Sequence, residues 1–202
     1  MKRVFLVLLA LSACSKTAPT ESGYVRGGKP YYSVMSAEGV IVGKPTLVRS
    51  GIRPLTIDEA RPYMSNMFSE LVPVLEKTNI TYQMQGNDIV LMIQAHLIFD
   101  SREDFRADMI HFLDQMAAVI ASNSRTFVEF QGHAADAGSL AANQRKSGYM
   151  AQKIGDFFMD RGVMPARVFI SGQGKSRWVA DNRTREGKLL NTRIEIRITP
   201  LI

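Results

Sequence analysis

Three short stretches gather the side chains that could hold or transform a small molecule. Phe130-Gln131-Gly132-His133-Ala134-Ala135-Asp136-Ala137-Gly138 puts His133 and Asp136 at the end of an apolar run, in a segment bounded by glycines. Asn143 and Lys146 follow inside a helical pattern, and the stretch from Asn182 to Ile196 adds Asn182, Asn191, Arg193 and a run of cations. This inventory suits the gripping of charge, because a hydrogen bond to a charged group contributes roughly 1.5–3 kcal/mol. It does not suit bond breaking. No Gly-x-Ser-x-Gly element, paired-acid motif or activated thiol occurs, so the chain reads as non-enzymatic. His96, His111 and His133 lack metal-ligand spacing, and no cofactor is implied. Gly174-Lys175-Ser176 has the ending of a phosphate-binding loop, but the required first glycine falls on Phe169.

The chain has 202 residues, 46% hydrophobic and 22% charged, enough for one domain plus a tail and too apolar for disorder. A formal charge of +6 and a pI near 9.6 suit polyanionic surroundings. The lone cysteine, Cys14, excludes an intrachain disulfide and any zinc site built on several thiolates. It closes a short export-type leader. Lys2 and Arg3 open it, Val4 to Leu11 form an apolar run far short of the roughly twenty residues a spanning helix needs, and Leu11-Ser12-Ala13-Cys14 resembles a bacterial lipobox. Residues 1–13 are therefore expected to be a lipoprotein signal peptide and Cys14 the lipidation site. Ser15 at the second mature position favours the outer membrane, by resemblance to Gram-negative lipoproteins. The remainder is expected to face the periplasm, and export leaves no role for nucleic acid.

Residues 14–50 mix Ser, Thr, Gly and Pro without a lasting period and read as a tether. Tyr24, Tyr31 and Tyr32 leave docking on a partner open beside an inert linker. Residues 51–79 read as a helical extension, with Ile57, Ala60, Met64, Met67, Phe68, Leu71 and Leu75 on one stripe and Pro73 expected to kink or end it. Residues 80–202 read as the main domain. Strands are expected at Ile80 to Gln85 and Ile89 to Ile93, joined at Gly86-Asn87-Asp88. A helix from Glu103 to Ser122, a strand from Thr126 to Gln131, a helix from Ser139 to Asp160 and a strand from Val168 to Ser171 follow. Ile194, Ile196 and Ile198 alternate with Arg193, Glu195 and Arg197 in a last strand. The fold class is α+β, a sandwich with helices on one face of a mixed sheet.

With Leu97-Ile98-Phe99-Asp100 and Gly162-Val163 added, the three stretches resemble the OmpA-like C-terminal domain family, shared by Pal-type lipoproteins, OmpA porins and the stator protein MotB. The resemblance spans about residues 80 to 198 and implies a β-α-β-α-β-β fold. It also implies noncovalent binding of the diaminopimelate side chain of peptidoglycan, with a loop Asp meeting the ligand's ammonium and a helix Arg gripping a carboxylate. Gly132, His133, Gly138, Asn143, Ser147 and Ala151 match that pattern, as do Asn182, Thr184, Gly187, Asn191 and Arg193. The loop Thr and Asp fall on Ala134 and Ala135, the helix Leu and Arg on Lys146 and Met150, and two further Arg positions on Lys188 and Thr192. Loss of both ionic anchors removes about 3–6 kcal/mol, roughly 10² to 10⁴ in affinity.

Asp136, one residue late, and Lys146, one turn before Met150, could form a displaced peptidoglycan site, or both could be solvated charges. His133, Asn143, Asn182 and Arg193 complete the candidate residues. The preferred expectation is a structural subunit of an envelope-spanning complex, anchored in the outer membrane by its lipid and partnered by other secretion-complex proteins. Its layout is similar to lipoproteins of the type IVB secretion outer-membrane complex. The alternative is a Pal-like tether between outer membrane and cell wall.

Overall fold

A computed structural model describes residues 37–136 and 138–202. Cys14, the leader and the tyrosines at 24, 31 and 32 lie outside the described residues.

The first described element is a helix, α1 (Ala37–Arg49), within the stretch expected to be a tether. Leu47 explains why it forms. Its side chain is fully buried with Phe127, Phe169 and Leu201, so tertiary burial outweighs the poor helix propensity of Gly43 and Pro45. Helix α2 (Ile57–Leu75) starts at a capping box, with the Thr56 hydroxyl accepting from the Glu59 N–H and the Glu59 carboxylate accepting from the Thr56 N–H. It runs through Pro73 to its end. The proline removes one hydrogen bond near the C-terminus, and burial of Leu71 and Leu75 holds the last turn.

A hairpin of β1 (Thr81–Gln85) and β2 (Asp88–Gln94) turns on Gly86 at φ +63°. After one turn of helix, α3 (Ala95–Ile98), the chain enters α4 (Ala107–Ser122). The expected start at Glu103 is four residues early. Glu103 sits at φ +63° and Phe105 bridges Phe99 and stacks on Phe157, so neither belongs to the helix. Then come β3 (Thr126–His133), α5 (Leu140–Asp160), a 3₁₀ turn at Pro165–Arg167, β4 (Val168–Gly172), α6 (Arg185–Asn191) and β5 (Arg193–Pro200). Helices α3 and α6 are additions to the expected order.

The sheet runs β1-β2-β5-β3-β4, antiparallel except for the β3–β4 pair. Ile194, Ile196 and Ile198 of β5 pair across Gly132, Phe130 and Val128. This face buries against Met64, Met67 and Leu71 of α2, Leu113 and Met116 of α4, and Ile154 and Phe158 of α5. Each such side chain contributes about 1.5–3 kcal/mol on burial. The helical extension therefore belongs to the same core as the sheet. The alternate face carries Phe127 and Phe169, which α1 covers, so helices do not occupy one face only.

Candidate functional site

Helix α5 lies unusually close to the sheet because its partners lack Cβ atoms. A Cβ on Gly132 would sit 1.9 Å from the Ser147 carbonyl oxygen, and one on Gly172 would sit 2.6 Å from the Gly148 nitrogen. The Ser147 hydroxyl, freed of steric competition, accepts from the Gly174 N–H at 2.9 Å and donates to the Gln144 carbonyl. The segment after β3 is drawn across this junction. The Ala134 N–H donates to the Gly174 carbonyl at 2.8 Å, and the Ala135 N–H donates to the Thr192 hydroxyl at 3.3 Å. Ser139 caps α5 by accepting from the Ala142 N–H.

Between this loop, α5, α6 and the 95–103 segment opens a two-lobed groove. The larger lobe, about 480 Å³, is lined by Ala135, Lys146, Arg185, Lys188, Leu189 and Thr192. The smaller, about 260 Å³, is lined by Phe99, Asp100, Ser101, Glu103, Lys146 and Met150. His96, Lys146 and Thr192 face both. The two positions at which the family pattern puts ionic anchors, Ala135 and Met150, thus lie one in each lobe. Both are buried and neutral.

Charge enters the groove from other positions. Arg185 and Lys188 project from α6, and Glu103 lies 3.9 Å from Lys146 across the groove. Glu103 holds the only non-glycine positive φ among the described residues, and its carbonyl accepts from the Lys153 ammonium at 2.5 Å. Asp100 is turned inward on its own loop. Its Oδ1 accepts from the Arg102 and Asp104 N–H groups, which lowers its pKa.

Of the residues expected to form a site, Lys146 alone lines the groove. Asp136 turns away to pair with Lys175 at 2.9 Å, so it and Lys146 are not brought together. Asn143 is buried, its amide donating to the Gly138 carbonyl at 3.3 Å. Asn182 belongs to the 177–184 loop, its amide oxygen accepting from the Asn191 amide at 2.8 Å. Arg193 is buried on the face away from α5, with Nη2 2.5 Å from Glu195 Oε1 and Nη1 donating to the Arg177 carbonyl. His133 pairs with Arg193 across the strands and is 1% exposed. Its Nε2 lies 3.5 Å from Glu195 Oε1 and neither ring nitrogen has a hydrogen-bond partner among the described residues. Burial, then the Arg193 charge, pushes its pKa down to about 4, so the ring is neutral.

In the sequence Arg185 stands only within a basic run, and Lys188 stands there and at a position where the family resemblance puts an arginine. Their convergence depends on the placement of α6. That helix is capped by Thr184 accepting from the Gly187 N–H and is held by buried Asn191, which accepts from the Val179 and Ala180 N–H groups and donates to the Ala180 carbonyl. Glu103 and His96 carried no spacing signal.

The sheet order, with α5 laid on β3 and β4, leaves the groove at the C-terminal end of β3. Residues 103–192 match the model of the OmpA family. Over 217 aligned residues the chain is 26% identical to the probable lipoprotein YiaD of Escherichia coli K12, covering 99% of each chain. It is 24% identical to the outer-membrane lipoprotein YfiB of Pseudomonas aeruginosa, across 68% of this chain and 82% of that one. The cell wall anchor of the type VI secretion system from Pseudomonas aeruginosa superposes with a TM-score of 0.59 at 21% identity, over 69% of this chain and 99% of that one. That likeness is one of fold. Among the described residues no helix is long and apolar enough to cross a membrane.

Proposed function

We propose that this chain is an outer-membrane lipoprotein, acylated at Cys14, whose OmpA-family domain faces the periplasm as a structural subunit of an envelope-spanning complex beside the cell wall. The parts follow in the order leader 1–13, anchor and tether from 14, helical extension 51–79 and domain 80–202. One observation carries the reading: both anchor positions of the family's wall-binding pattern line the groove, and both are uncharged, as Ala135 and Met150. A domain that keeps its scaffold and gives up the standard grip is suited to protein contacts. The outer-membrane complex of a type IVB secretion system fits the layout of anchor, short tether, added helices and altered anchors. Co-purification from detergent-solubilised envelope tests this. The chain should emerge with stoichiometric partner proteins, and recovery alone overturns the proposal. Replacing Cys14 by Ser should release the chain from the membrane fraction.

A second reading, direct contact with the wall as a tether, is favoured by the groove itself. It stays open and is lined by Arg185, Lys188 and Lys146 on one side and Glu103 on the other. Strong retention on isolated sacculi is its signature.

A further inference from the structure

We infer that the larger lobe is a carboxylate-binding subsite formed by Arg185 and Lys188 of α6 with Lys146 of α5, taking the free carboxylate of a short peptide at the place where the family pattern implies an ammonium. The inference rests on the wall-contact reading above. Charge balance within the lobe is its first ground. Three cationic side chains line it and no acidic side chain does. Neither Arg185 nor Lys188 makes a side-chain hydrogen bond or ion pair with a described residue, whereas eleven of the other described cations, from Arg53 to Arg197, have a carboxylate within 4.0 Å. Lys146 has one acidic neighbour, Glu103 at 3.9 Å, in the other lobe.

The second ground is that local structure gives Arg185 no reason to be basic. It opens α6, where the helix dipole disfavours a cation, and its side chain is exposed. The Thr192 hydroxyl accepts from the Ala135 N–H and donates to the Lys188 carbonyl, and no carboxylate in the lobe neutralises its cations. An anion entering beside Ala135 would therefore meet two unpaired cations on α6 and a third on α5, over an apolar floor of Ala135 and Leu189. The third ground is size. A lobe of about 480 Å³ admits the end of a peptide and not a folded surface. The smaller lobe is lined by two acidic side chains, Asp100 and Glu103, which suit an amino group, so the groove has the opposite polarity to that implied by the Asp and Arg of the family pattern.

The test is calorimetric titration of the full mature chain with the stem tripeptide L-alanyl-γ-D-glutamyl-meso-diaminopimelate, as the free acid and with its diaminopimelate carboxylates amidated. The acid should bind at least about tenfold tighter than the amide, as charge-assisted hydrogen bonds require. Arg185→Gln combined with Lys188→Gln should abolish that preference while leaving thermal melting unchanged, since neither side chain holds the fold. Ala135→Asp gives a test of sign. It should weaken binding of the acid by adding a carboxylate to the lobe, whereas an ammonium bound there would gain from it. Equal binding of acid and amide, or tighter binding in Ala135→Asp, overturns the inference while sparing wall contact. Binding of neither form overturns the wall-contact reading, and the inference falls with it.

Discussion

Lys175 Nζ stands 2.9 Å from Asp136 Oδ1, and the pair lies outside both lobes of the groove. The acid one residue past the family's anchor position is thereby committed to a loop contact. Asp136→Ala should change retention on sacculi by less than about twofold and stability by less than about 1 kcal/mol, the range of half-exposed ion pairs. A pull-down and a urea melt check both, and loss of retention would restore Asp136 to the site.

Gly132 is the point at which α5 touches the sheet most closely. Gly132→Ala should cost about 3 kcal/mol or more, or prevent folding, because its Cβ would meet backbone rather than a flexible side chain. Gly148, one turn away in contact terms, faces open space. Gly148→Ala should stabilise by up to about 1 kcal/mol through helix propensity. Paired denaturant titrations separate the two.

Arg167 is fully buried and ties the end of α4 to β3. Its Nη2 donates to the Ile120 and Asn123 carbonyls and the Thr126 hydroxyl, and its Nε donates to the Thr126 carbonyl. Arg167→Met fills similar space but removes a charged donor from each of these acceptors. A loss of about 3 kcal/mol or more is expected in urea unfolding.

His133 makes stability depend on pH. Its pKa is about 4 when folded against 6.5 for the ordinary value, so below pH 6.5 the unfolded chain takes up a proton that the native chain refuses. Stability present above pH 6.5 is therefore lost as pH falls toward 4, by about 3 kcal/mol in all. His133→Phe should flatten this slope in unfolding curves measured between pH 4.5 and 7, with Glu195, Arg193 and Arg177 still facing the position.

Elements with a sustained period were legible in the sequence, and those made by contact were not. The isoleucines of β5 and the stripe on α5 announce a face each, and both appear as expected. Helix α1 hides behind Gly39, Gly43 and Pro45, and only the burial of Leu47 against two phenylalanines reveals it. Helix α6 has seven residues, too few for a period. The site divides in the same way. Ala135, Lys146 and Met150 are located by the resemblance to the family's loop and helix patterns. His133, Asn143, Asn182 and Arg193 have the side-chain chemistry of ligand contacts, yet the fold turns them inward to hold loops and strands. Arg185 and Lys188 reach the groove only through the hydrogen bonds that seat α6.

Helix α1 is the first described element after the stretch leading from Cys14, and it is fastened to the far side of the sheet. Leu47 is packed on Phe127 and Phe169, Lys44 reaches the Ile202 carbonyl at 2.5 Å, and the Leu55 N–H donates to the Leu201 carbonyl at 2.7 Å. On the proposed acylation at Cys14, tension arriving from a lipid moored in a shifting bilayer would therefore be met first by this small clasp, at the strand ends remote from the groove. The clasp would peel open while the five-stranded body kept its shape, giving the molecule slack before anything held in the groove felt the pull.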